Sequence, residues 1–90
     1  MIFEWDEVKR LRVLADRGID FEDILDAFDD PFRLERHDRR QDYGETRYVM
    51  LAMSSGRVYN SVYTVRNAKI RIITAFKANT REQSRYAEDR

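Results

Sequence analysis

The chain of 90 residues has no cysteine, one proline, one histidine and three glycines. Lack of cysteine removes disulfides, thiolate metal sites and cysteine nucleophiles together. A lone histidine and scattered carboxylates lack the ligand spacing of a metal site, and three glycines make no phosphate-cradling loop, so neither metal nor cofactor is expected. No apolar run approaches the roughly 20 residues that a bilayer-crossing helix needs, and the start of the chain shows no signal-peptide pattern. These absences lead us to expect a soluble, cytoplasmic protein. A chain of this size suits one domain, 1–90, whose core is small enough to gain from a partner.

What the sequence has is charge, and the charge is sorted. Seventeen basic and seventeen acidic residues cancel. Residues 1–30 nevertheless carry ten acidic and four basic side chains, and residues 31–90 thirteen basic and seven acidic. From Arg57 to Arg85 seven cations meet one carboxylate, Glu82. Such a local field attracts phosphates even though the whole molecule is neutral, unless the arginines only solvate a surface.

Hydrophobic spacing predicts an α+β fold. A short strand at Ile2 to Glu4 precedes a helix capped by Asp6, with Val8, Leu11, Leu14 and Ala15 on its buried stripe and Gly18 at its end. A second helix, capped by Asp20, places Phe21, Ile24, Leu25 and Phe28 on one side and stops at Asp29, Asp30 and Pro31. Alternation then predicts an antiparallel sheet of about four strands, at Phe32 to Arg36, Thr46 to Met53, Arg57 to Val65 and Lys69 to Phe76. A C-terminal helix starts at Thr80, with Thr80 and Gln83 as its capping box. On the last strand Ile70, Ile72, Thr74 and Phe76 are expected to face the core. Lys69, Arg71, Ile73, Ala75 and Lys77 are expected on the other side, with a cation at each end.

A set of short motifs runs the length of the chain: FEWD at Phe3 to Asp6, Lys9, Gly18 and Phe21, FDDP at Phe28 to Pro31, Glu45 and Arg47 in ETRY, VYT at Val62 to Thr64, and RIITAFKA followed by REQSRY. In this order and spacing the chain resembles, from end to end, the BrnT ribonuclease toxins of type II toxin–antitoxin modules. The resemblance implies a RelE-like fold, metal-independent cleavage of RNA that inhibits translation, and neutralisation by a ribbon-helix-helix antitoxin in a hetero-oligomer. The chain departs from the family pattern at Val13, Asp16, Arg17, Met53 and Phe76; many relatives have KHG at positions 16 to 18 and arginine at positions 53 and 76.

Cutting RNA without a metal requires a base for the 2′-hydroxyl, cations for the phosphorane and an acid for the 5′-oxygen. A guanidinium binds two phosphate oxygens and stays charged, which makes Arg47 and Arg71 the first candidates, with Lys77 as a third cation. Lys9, Tyr63, Arg81 and Tyr86 are candidates for holding the substrate, the tyrosines by stacking on bases unless they are ordinary half-buried residues. His37, in a polar loop, reads as a surface residue. Two further readings remain open: a catalytically weak or inactive homologue that binds an antitoxin, and a plain RNA-binding domain.

Overall fold

A computed structural model of the protein describes residues 1–88. The elements in chain order are β1 (Phe3–Trp5), α1 (Glu7–Arg17), a 3-10 helix (Phe21–Asp29), β2 (Leu34–His37), β3 (Arg47–Ser54), β4 (Arg57–Arg66), β5 (Lys69–Lys77) and α2 (Thr80–Glu88). The five strands form one sheet in the order β1-β5-β4-β3-β2. Neighbours are antiparallel except at the edge, where β1 pairs parallel with β5, Phe3 opposite Ile70 and Trp5 opposite Ile72. The α+β class therefore holds, but the sheet is mixed and has five strands rather than about four antiparallel ones. The N-terminal strand joins through a partner far away in sequence.

The expected caps of the first two helices form. Asp6 accepts from the Lys9 N–H at 3.1 Å, Gly18 closes α1 at φ 68° with its N–H on the Leu14 carbonyl, and Asp20 accepts from Glu22 N–H. The second helix is nevertheless 3-10 rather than α. Phe21, Ile24 and Ala27 are fully buried, and a helix of three residues per turn brings that three-residue spacing into line against the sheet. At the C-terminal helix the capping box lies one residue earlier than expected. Asn79 accepts from Glu82 N–H at 2.8 Å and Glu82 accepts from Asn79 N–H at 2.9 Å.

The expected stripe of α1 faces outward instead. Val8, Leu11 and Leu14 are 67%, 51% and 37% exposed, whereas Val13 is the helix's buried residue. Polar anchors set this rotation. Arg10 reaches Asp20 at 2.9 Å, and Arg17 donates to the Thr74 hydroxyl at 2.9 Å and to the Ala75 carbonyl at 3.1 Å, past the end of the short edge strand β1.

One face of the sheet carries the main core. Val13, Ile19 and the 3-10 helix pack on Met50, Ala52, Tyr63, Ile72 and Ala75, with Phe3, Trp5 and Tyr48 around them. Phe28 meets the Tyr63 ring edge-on at 5.2 Å, and Tyr48 stacks on Tyr63 at 5.2 Å. Asp30 closes this layer: its carboxylate accepts from the N–H of Phe32 and Met53 and from the hydroxyl of Tyr86 on α2. Its bond to Met53 satisfies a β3 amide beyond the point where β2 begins.

The opposite face is fixed by a bulge. Val62 pairs with Thr74 but Tyr63 pairs with Ile72, so Ile73 is an extra residue and the alternation of β5 inverts there. Ile70 and Ile72 face the core as expected. Beyond the bulge the expectation fails, because Ala75 turns inward opposite Ser61 while Thr74 and Phe76 join Arg71 on the open side.

Candidate functional site

Directly opposed residues on paired strands share a face, so the register lines up Glu4, Arg71, Thr64 and Arg47 across β1, β5, β4 and β3. This row lies on the open side of the sheet. Arg66, two residues beyond Thr64, has the same parity, and the first turns of α1 stand beside the row. Together they enclose a cleft of about 450 Å³ bordered by Asp6, Lys9, Arg12, Arg47, Arg66 and Arg71.

The cations are held by carboxylates that they outnumber. Glu45 accepts from Arg47 at 3.1 Å and from Arg66 at 2.6 Å, and Glu4 lies 3.8 Å from Arg71. The Arg66 and Arg47 guanidiniums hold the Glu45 carboxyl below its ordinary value, against the opposing effect of its burial. Counting Lys9 and Arg12 on one side and the cap Asp6 on the other, five cations face three carboxylates, an excess of two positive charges.

Arg47 is also braced from below. Its guanidinium carbon lies 4.2 Å from the centre of the Tyr43 ring, and the Tyr43 hydroxyl donates to Asp38 at 3.0 Å. Arg40 forks onto the same buried carboxylate at 2.8 and 2.7 Å, and this bond, helped by Tyr43, holds the Asp38 carboxyl far below the usual carboxylate range. The loop between β2 and β3 is thus folded around one buried charge, and it delivers Arg47 with one guanidinium face stacked. Such bracing reduces the conformational entropy lost on binding a phosphate.

Among the residues named from sequence, the structure brings Arg47, Arg71 and Lys9 together. Lys77 does not join them. It pairs with Tyr59, on the core side of β5 and at the far end of the strand, in a separate depression with Met53, Arg57 and Gln83. Arg81 is exposed on α2, away from the cleft. Tyr63 and Tyr86 are 8% and 3% exposed and belong to the interior. The Tyr63 hydroxyl donates to Glu35 at 2.6 Å, and burial, then that carboxylate, pushes the phenol well above its ordinary value. His37 is exposed, its ring edge-on to Tyr48 at 5.1 Å.

Arg12 and Arg66 were not singled out from sequence. A signal existed for each: Arg12 follows Lys9 by three helical positions, and Arg66 shares the parity of Thr64 on β4. No group of three or more histidine, aspartate or glutamate side chains among the described residues is placed to hold a metal ion. No helix among them is long and apolar enough to cross a membrane.

A small α+β protein with a braced cationic cleft on one sheet face is chemically of the class that binds phosphate-bearing partners. More particularly, the chain belongs to the family described as ribonuclease toxin, BrnT, of type II toxin–antitoxin system, whose model matches residues 5–82. Membership makes it a toxin-type protein with RNA as substrate class and an antitoxin as partner. No curated protein matches the chain.

Proposed function

We propose that the protein is an endoribonuclease that cleaves RNA without a metal ion, inhibits translation in the cytoplasm, and is silenced by a ribbon-helix-helix antitoxin in a hetero-oligomer. The observation that carries this reading is the convergence of Arg47 and Arg71 on one cleft with Lys9, Arg12 and Arg66 around it. Attack of a 2′-hydroxyl on the adjacent phosphorus forms a 2′,3′-cyclic phosphate and breaks the bond to the 5′-oxygen; the 2′-hydroxyl gives up its proton to solvent or a base, and the 5′-oxygen takes one up to leave as a hydroxyl. Negative charge grows on the non-bridging oxygens meanwhile. Arg47 and Arg71, on one row with Thr64 between them, are the pair that stabilises that charge; Lys9, Arg12 and Arg66 hold the neighbouring phosphates. Lys77 and Arg81, outside the cleft, contribute long-range attraction of the polyanion.

The test is incubation of the purified protein with mixed RNA in EDTA. Wild type is expected to cut it, and Arg47→Ala or Arg71→Ala to lower the rate about 100- to 1,000-fold, the usual effect of losing one donor to a developing oxyanion. RNA left intact by wild type removes the catalytic reading. A second reading, RNA binding with weak cleavage, is favoured by Phe76, an uncharged ring 42% exposed on the same face as the arginine row. Retained binding with no cleavage by wild type distinguishes it.

A further inference from the structure

The tyrosines that sequence offered for stacking are buried, but an aromatic ring does stand on the open face. The bulge at Ile73 brings Phe76 out, opposite Asn60, one row beyond Val49, Val62 and Thr74. These side chains border a second hollow of about 210 Å³, rimmed by Arg36 and Arg40. It follows the cationic row directly: Arg47 and Val49 are two residues apart on β3, about 7 Å along the strand.

We propose that this hollow is a nucleobase subsite, which takes the base of a nucleotide whose phosphate lies in the cationic cleft; the inference rests on the RNA reading above. Each wall has a role. Val49 and Val62, 6% and 5% exposed, give an apolar floor at the bottom of the hollow, with Glu82 and Arg85 of α2 flanking Val49 and Asn60 on one side. The Phe76 ring is held from one side by Arg17, whose guanidinium carbon lies 3.9 Å from the ring centre. Arg36 makes no ion pair with a carboxylate among the described residues, so its planar head is available to lie on a base, whereas Arg40 is committed to Asp38.

Two polar atoms point to base-edge recognition. The Asn60 amide nitrogen is bound to Glu82, which leaves its carbonyl oxygen as an acceptor. Thr74 accepts from Arg17, which leaves its hydroxyl hydrogen as a donor. One acceptor beside one donor matches the amino or imino hydrogen and the neighbouring nitrogen or oxygen on a base edge. The cleft thus positions the backbone and the hollow reads the base.

The experiment compares binding of a short single-stranded RNA with that of a ribose-phosphate chain of the same length lacking bases. Titrations use the whole wild-type chain in EDTA as the parent, with the 2′-hydroxyls of both ligands methylated so that no arm can be cleaved. Removing the bases is expected to weaken binding about 5- to 100-fold in the parent. With Phe76→Ala added, that preference shrinks toward onefold, and Phe76→Trp, which keeps a stacking face and controls for folding, restores it. Equal affinity of the parent for both chains overturns the subsite and leaves the cationic cleft standing; the hollow then falls to a protein segment. Failure of wild type to bind either chain overturns the RNA reading and this inference with it.

Discussion

The two faces of the sheet are made from the same strands yet follow different rules. On the main core face, Phe28, Met50, Tyr63 and Ile72 interlock with almost no exposed surface, and the charges beside them are tied down, Asp30 to backbone and to Tyr86, Glu35 to the Tyr63 hydroxyl. On the other face, flanked by α2 at its β3 side, the alternate residues of those strands carry Arg47, Arg71, Phe76 and Asn60 around a small apolar floor. Adjacent residues in sequence therefore answer to stability and to chemistry in turn. A change on one face should leave the other property almost intact.

The largest test is on the covered face. Phe28→Ala removes a ring that touches both Phe3 and Tyr63, and is expected to cost about 3–5 kcal/mol in denaturant unfolding. Arg47→Ala should by contrast cost less than about 1 kcal/mol of stability, since its ion pair is partly solvated, while abolishing most of the activity. If Arg47→Ala unfolds the protein as Phe28→Ala does, the division between the faces fails. Next in size is Tyr86→Phe, which deletes the hydroxyl that donates to Asp30. A loss of about 1–3 kcal/mol in unfolding free energy with unchanged RNA affinity is expected.

Acid should act through the loop that braces Arg47. Asp38 has its carboxyl depressed in the folded protein, so its stabilising contribution is complete above the unfolded value of about 4 and declines as pH falls from there toward the folded value. Thermal melts of wild type should drop across that acid range, and those of Asp38→Asn should drop less steeply from a lower starting point. Parallel curves would show that Arg40 and Tyr43 do not hold the carboxylate. The smallest effect is expected at the β4–β5 turn, where Asn67 and Ala68 have φ of 51° and 62°. A glycine adopts that conformation without the steric cost of a Cβ, so Ala68→Gly should raise stability by about 1 kcal/mol and leave both faces unchanged.

Much of this was legible in the residues because it is local. Asp6, Gly18 and Asp20 announce helix ends by their own hydrogen-bonding chemistry, and the alternating runs from Arg47 to Phe76 announce strands with tight turns between them. The parallel edge strand was not legible as part of the sheet, since three residues that pair with a segment far along the chain leave no periodic signal. The spacing of Val8, Leu11 and Leu14 misled for a related reason. Ion pairs and caps made by Arg10 and Arg17 with distant residues set the rotation of α1, and such partners are invisible to a window that moves along the chain. Within the site, Arg47 and Arg71 could be named from charge and resemblance. Their separation from Lys77 depends on a bulge that no glycine marks.

The supernumerary Ile73 has a consequence for how such a surface changes over time. Were the ladder to run on from Ile72 without the bulge, Ala75 would stand opposite Asn60, a methyl group where the ring now is, and Phe76 would turn inward against Tyr59. What the outer wall offers to a ligand is set here by register as much as by the kind of residue. A one-step slip would redraw it more thoroughly than most replacements.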